Sequence, residues 1–195
     1  MTAIVILAAG SSSRLGRPKQ TLEYKGQTLL QIAIKNALAV TEMVLVVLGA
    51  NAEHIEPTIE NLPANVLHNA HWEEGMSSSI RLAITDLEKN YPEVTSVIVM
   101  LCDQPFANAE LLTQLIDKKK TTGKGIIASN YHNISGVPAL FEKKYFPQLL
   151  ELSGQAGAKQ LLTQYPDAVA EVPFPEGETD IDTTEDYKRL NQKLL

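Results

Sequence analysis

Four short stretches of the chain carry residue types that together could handle a multiply charged phosphate. The first is Leu7-Ala8-Ala9-Gly10-Ser11-Ser12-Ser13-Arg14-Leu15-Gly16-Arg17-Pro18-Lys19. Its small residues let backbone N–H groups approach an anion or a base closely. Arg14, Arg17 and Lys19 add positive charge to the same loop, and an NTP needs that combination of backbone donors and cations. The stretch is not a Walker loop, because Gly10 and Gly16 are too far apart and Gly-Lys-Ser/Thr is absent. It is not a dinucleotide fingerprint either, because no G-x-G-x-x-G occurs. By composition alone it also reads as a glycine turn with surface arginines.

The other three stretches lie far apart along the chain. Trp72-Glu73-Glu74-Gly75-Met76-Ser77-Ser78-Ser79 reads as a loop ending in a serine helix cap, with small residues leaving N–H donors free. Leu101-Cys102-Asp103-Gln104-Pro105 follows a strongly apolar run. A carboxylate just past a buried strand needs a partner, which a metal ion or the following turn can supply. Cys102 has no histidine close in sequence to activate it and reads as a buried filler. Thr179-Asp180-Ile181-Asp182-Thr183-Thr184-Glu185-Asp186 opens the last helix, with Thr183 and Asp186 at capping-box spacing.

The elements that must position these stretches follow from hydrophobic periodicity. Strands are expected over residues 3–8, 43–48, 64–68, 95–101, 125–129, 137–141 and 168–172. Helices are expected over 28–38, 53–60, 78–89, 108–120, 157–164 and 184–194, with Asn108 a cap. Pro57 sits inside the second of these and either starts or breaks it. Near-continuous apolar strands alternating with helices predict an α/β fold: a mostly parallel sheet with helices on both faces and a small antiparallel excursion. One domain over residues 1–195 is expected, with a subregion near 131–165. Ligands in such sheets bind beyond the carboxyl ends of the strands, where the four stretches fall.

The pattern L-A-A-G-x-S-x-R-x-G-x-x-K resembles the signature loop of nucleotidyltransferases with a glycosyltransferase-A-like, three-layer Rossmann-type fold, most of all the MobA-like and MocA-like proteins of molybdenum-cofactor synthesis. The resemblance runs from Ile4 to about Asp186 with its motifs in order. It implies that Ala8, Ala9 and Gly10 face the base or ribose, that Arg14 and Lys19 hold phosphates, and that Leu7, Ser11, Gly75, Ser77 and Ser78 also bind the nucleotide. It further implies Mg²⁺ on Asp103 and Asp182, with Asp180 the second choice, and catalysis carried by Lys19, Arg14 and Asp103. Gly136, Pro138 and Lys159 fall on the acceptor side, where Val137 and Gln155 replace a common histidine and aspartate.

Cytidylyl-transferring relatives read A-A-G where guanylyl-transferring ones read L-A-G-G, so Ala8-Ala9-Gly10 favours CTP over GTP. The implied reaction moves CMP to a phosphorylated acceptor, molybdopterin in its metal-loaded form, and releases pyrophosphate. A molybdoenzyme or a cofactor chaperone is the implied protein partner. A sugar or polyol phosphate acceptor, a non-catalytic nucleotide-binding accessory protein and a sugar transferase using Asp180-Ile181-Asp182 remain open alternatives.

A formal net charge of −6 over 195 residues argues against a nucleic-acid partner. The single cysteine argues for a reducing compartment. The N-terminal residues lack a signal-peptide pattern and no apolar run reaches membrane-spanning length, so the cytoplasm is expected and no membrane partner. His54, His68, His71 and His132 show no zinc spacing and read as surface or structural.

Overall fold

The first strand, β1 (Thr2–Ala8), shows how the sheet is covered. Ile4, Ile6 and Ala8 enter one hydrophobic core, and Ala3, Val5 and Leu7 enter another on the opposite face. A period of two with both faces apolar requires helices above and below. The computed structural model, which describes residues 1–13 and 15–192, supplies them.

After β1 come the short strands β2 (Glu23–Tyr24) and β3 (Gln27–Thr28), which form an antiparallel ribbon. The chain continues through α1 (Leu29–Leu38), β4 (Val44–Leu48), α2 (Ala52–Ile55), β5 (Asn65–His68), α3 (Met76–Asn90) and β6 (Ser96–Leu101). It then forms α4 (Ala109–Thr122), β7 (Ile126–Tyr131), β8 (Ile134–Glu142), α5 (Phe146–Leu150), α6 (Lys159–Gln164), β9 (Val169–Pro173) and α7 (Thr184–Gln192). The expected end of α7 at Leu194 lies outside the described residues.

The seven-stranded sheet has the order β5-β4-β1-β6-β8-β7-β9. Every neighbouring pair is parallel except those made by β8, which runs against both β6 and β7. The antiparallel excursion is thus one strand built into the main sheet, together with the β2–β3 ribbon. Leu30, Ala33, Ile34 and Ala37 of α1 and Leu111, Leu112 and Leu115 of α4 close one core. Ile80, Ala83, Ile84 and Leu87 of α3, with Phe146, Leu149, Leu161 and Leu162, close the other. A third cluster of Leu22, Tyr24, Leu29, Ile181 and Leu190 ties the ribbon to the last helix.

Local chemistry sets the helix ends. Thr28 and Gln31 form a reciprocal box: Gln31 N–H donates to Thr28 Oγ1 at 3.2 Å and Thr28 N–H to Gln31 Oε1 at 2.9 Å. Asn108 caps α4, accepting from the Leu111 N–H at 2.9 Å. Thr183 and Asp186 do the same for α7, at 2.9 and 3.2 Å. The helix expected over 53–60 is shorter: α2 gives way to a 3-10 turn, Glu56–Thr58, because Pro57 has no N–H to continue the ladder. β7 and β8 are longer than expected. Their tight turn uses His132 and Asn133 at φ +50° and +62°, a left-handed pair that a sequence without glycine does not advertise.

Candidate functional site

The loop after β1 is folded by its own side chains. Gln20, fully buried, donates through Nε2 to the carbonyls of Ala8 (2.7 Å) and Gly10 (3.1 Å). Ser12 Oγ accepts from the Lys19 N–H at 2.9 Å, and the Ala50 N–H donates to the Ala9 carbonyl at 3.0 Å. The loop therefore leaves β1, turns at Ser12 with φ +55°, and returns Lys19 to the carboxyl edge of the sheet.

There the distant aspartates meet it. Lys19 Nζ donates to Asp103 Oδ2 in a short ion pair and lies 3.2 Å from Asp182 Oδ1. A backbone hydrogen bond from the Ile181 N–H to the Asp103 carbonyl, 3.1 Å, lays the segment 180–182 beside the end of β6. The fully buried Ile181 side chain anchors that segment. Burial alone would lower the Lys19 pKa, but the Asp103 carboxylate, aided by Asp182, outweighs it and holds the ammonium above its ordinary value. Asp180 is pushed up to about 6 by burial and by the charges of Asp103 and Asp182, against a hydrogen bond from Gln104. The Cys102 thiol is pushed up to about 12 by burial and by Asp103, which makes it an inert filler.

A cleft of about 290 Å³ opens over this cluster. Of the residues singled out by sequence, Leu7, Ala9, Gly10, Ser11, Lys19, Gly75 and Asp103 line it together. A smaller, adjoining hollow of about 130 Å³ joins Gly10, Lys19 and Asp182. Ala8 is buried beneath the cleft. Arg14 lies outside the described residues. Ser77 and Ser78 turn inward: Ser77 Oγ donates to the Gly154 carbonyl at 2.5 Å and Ser78 Oγ to the Gly75 carbonyl at 2.8 Å. Ser79 lines the cleft instead, on α3, which starts at Met76, two residues before its expected start. Gly136 and Pro138 are buried in β8, and Lys159 is exposed at the start of α6; none lines either hollow.

Trp72, Glu73, Met76, Leu101 and Gln155 also line the cleft, and sequence reasoning missed them as site residues. The signal was present in part, since Trp72 opens the stretch that contains Gly75, and Gln155 stands between Gly154 and Gly157. A larger concavity, about 680 Å³, lies elsewhere, between the β2–β3 ribbon, α1, α4 and residues 173–176. It contains neither Lys19 nor the aspartates, so volume alone does not mark the chemistry.

The residues fit a hard divalent cation. Asp103 Oδ1 is buried and accepts no hydrogen bond, while Oδ2 and Asp182 Oδ1 already converge on one cationic group. Among the described residues no group of three or more His, Cys, Asp or Glu gathers as a metal cage. Two carboxylates completed by substrate phosphates are the usual arrangement for Mg²⁺, and Mn²⁺ accepts the same oxygen donors.

Residues 4–169 match the MobA-like NTP transferase domain. The molybdenum cofactor cytidylyltransferase of Escherichia coli (strain K12) is 25% identical over 190 residues, covering 96% of this chain and 95% of that protein. The nicotine blue oxidoreductase of Paenarthrobacter nicotinovorans is 30% identical over 201 residues, covering 95% and 94%. Rv0371c of Mycobacterium tuberculosis H37Rv, solved in complex with manganese, superposes with a TM-score of 0.77 at 27% identity and 98% coverage of each chain. With the family pattern spanning most of its length and the motif residues converging on one cleft, the chain belongs to the MobA-like NTP transferase family.

Proposed function

We propose that this protein moves CMP from CTP to a phosphorylated acceptor, molybdopterin in its metal-loaded form, and releases pyrophosphate. The observation that carries the reading is the Lys19 ammonium held by Asp103 and Asp182 at the floor of a cleft walled by Ala9, Gly10 and Gly75. A lysine that could bind phosphate, two carboxylates that could hold a metal and a backbone-rich wall that could take a base, spread over this cleft and its adjoining hollow, support the reading.

In this reading the nucleoside sits against Leu7, Ala9 and Trp72, and the triphosphate extends toward Lys19. An acceptor phosphate oxygen attacks the α-phosphorus in line, its bond to phosphorus forming as the bond to pyrophosphate breaks. The acceptor oxygen is already ionised, so catalysis is positioning plus charge neutralisation and needs no strong base. Lys19, with Arg14, stabilises the charge gathering on the departing pyrophosphate. Asp103 and Asp182 would hold a divalent ion, Mg²⁺ by resemblance, whose chemistry is to neutralise phosphate oxygens; the manganese complex of the M. tuberculosis relative supports divalent-ion use. Gly136, Pro138 and Lys159, within a 131–165 acceptor subregion of a single domain, would meet the acceptor.

CTP is favoured by Ala9, which lines the cleft beside Trp72, with its methyl close to Gly49. The similarity to the E. coli cytidylyltransferase supports both nucleotide and acceptor. A cytoplasmic location agrees with the absence, among the described residues, of a helix long and apolar enough to cross a membrane.

The test is diphosphate release from CTP and from GTP with molybdopterin, a sugar phosphate and a polyol phosphate as acceptors. CTP with molybdopterin should be fastest; a clear GTP preference refutes the base assignment. Turnover with another acceptor refutes the acceptor, and no release with any pair refutes the enzyme reading. The relative named an oxidoreductase motivates one added arm, NAD(P)H oxidation by the same preparation.

A further inference from the structure

We infer that residues 152–157 form the second wall of the nucleotide cleft, with Gln155 contacting the nucleoside and Arg81 positioning it. The inference rests on the nucleotide reading above and moves Gln155 from the acceptor side, where sequence placed its motif, to the base side. The contact set is specific. Ser77 donates to the Gly154 carbonyl through both its side chain (2.5 Å) and its backbone N–H (3.4 Å). A Cβ on Gly75 would collide with the Gly154 carbonyl group and reach 3.0 Å from Gln155 Cδ. A Cβ on Gly157 would reach 2.7 Å from Met76 Sδ. The segment is thus seated directly on the start of α3, with the Gln155 carboxamide over Gly75 and lining the same cleft as Ala9, Trp72 and Ser79.

Arg81 ties this wall to the opposite one. Its Nη1 donates to the Leu152 carbonyl at 2.7 Å, and its Nη2 to Glu74 Oε2 at 2.8 Å. Glu74 belongs to the 3-10 turn Trp72–Glu74, which carries two further cleft residues, Trp72 and Glu73. One planar guanidinium therefore fixes the spacing between the Trp72 side and the Gln155 side, a task suited to its rigid fork of donors. Lys19 and Asp103 supply the charged group that suits phosphate, whereas Gly75, close to the Gln155 carboxamide, and Trp72 line the same cleft without charge. A neutral carboxamide, able both to donate and to accept, suits the polar edge of a base or ribose rather than a phosphate.

The test uses quenching of Trp72, the single tryptophan and itself a cleft residue, to titrate CTP and inorganic tripolyphosphate. Gln155→Ala should weaken CTP by about three- to tenfold, the range for one neutral hydrogen bond, and leave tripolyphosphate unchanged. Arg81→Ala should weaken CTP similarly, and Arg81→Ala combined with Gln155→Ala should be no weaker than Gln155→Ala alone, because both changes remove one contact. Additive losses, or equal losses for tripolyphosphate, overturn the positioning role. Wild type that binds CTP with Gln155→Ala unchanged overturns the inference alone. Wild type that binds neither CTP nor GTP overturns the nucleotide reading and this inference with it.

Discussion

Lys19 Nζ lies 3.2 Å from Asp182 Oδ1 across 163 residues of sequence, and the same ammonium is paired with Asp103. A lysine shared by two carboxylates is in a competitive position. The oxygens that hold it are those a divalent ion would take, and the ammonium is also the group a triphosphate would attract. In the proposed reading, metal and nucleotide would be coupled through one side chain: the nucleotide would draw Lys19 toward phosphate, and the carboxylates would become available to the ion.

Asp103→Asn should abolish transfer and preserve the fold. The substitution keeps the shape of the side chain and leaves Lys19 its contact with Asp182, but it removes the buried anion. Loss of one charge-stabilising group typically costs about 100-fold or more in kcat. Diphosphate release measured beside far-UV circular dichroism separates the two effects. Normal turnover with Mg²⁺ in a folded variant removes Asp103 from the metal site.

Lys19→Met should raise the affinity of the nucleotide-free protein for Mn²⁺, since the competing ammonium is gone, while weakening CTP binding. Wild type should bind Mn²⁺ more tightly with CTP present than without it. Free Mn²⁺ counted by electron paramagnetic resonance reads both effects without any turnover. Equal Mn²⁺ affinity in the two nucleotide-free proteins shows that Lys19 does not guard the carboxylates.

The parts of this site legible in sequence were those set by local chain chemistry. Glycine and cations after a buried strand identify the loop, and an aspartate just past β6 identifies Asp103, because both signals are contiguous. The types of the longer elements came through hydrophobic periodicity, and the caps at Asn108 and Thr183 through hydrogen-bonding side chains at fixed offsets, whereas the β2–β3 ribbon, α5 and the Thr28 cap did not. What periodicity does not fix is helix phase. All three serines at the start of α3 are buried, and the one that lines the cleft is Ser79 rather than Ser77 or Ser78. Nor does sequence reveal which segments touch: the approach of residues 152–157 to Gly75 depends on the packing of α5 against α3, a contact between distant parts of the chain.

Ala9→Gly should narrow the preference for CTP over GTP. Ala9 lines the cleft, and a Cβ on Gly49 would come within 2.9 Å of the Ala9 methyl. Removing it opens room for the larger base. One methyl group in such a pocket changes discrimination by about tenfold or more. The ratio of kcat/KM for the two nucleotides checks this, and an unchanged ratio places base selection on other cleft residues.

Gly75→Ala should damage binding more than its single added carbon suggests. Gly75 holds φ +108°, a conformation that L side chains rarely adopt, and strain of this kind costs about 1–3 kcal/mol. Its new Cβ would also meet the Gly154 carbonyl group, which is backbone and can yield only by moving the whole 152–157 wall. That movement would break the Ser77–Gly154 hydrogen bond and carry Gln155 away from Trp72. The expected outcome is a lower melting temperature together with a CTP affinity reduced by more than the Gln155→Ala change alone. Thermal unfolding and Trp72 fluorescence titration on the same samples measure both. A variant that melts and binds like wild type shows that the two walls are not in tight register.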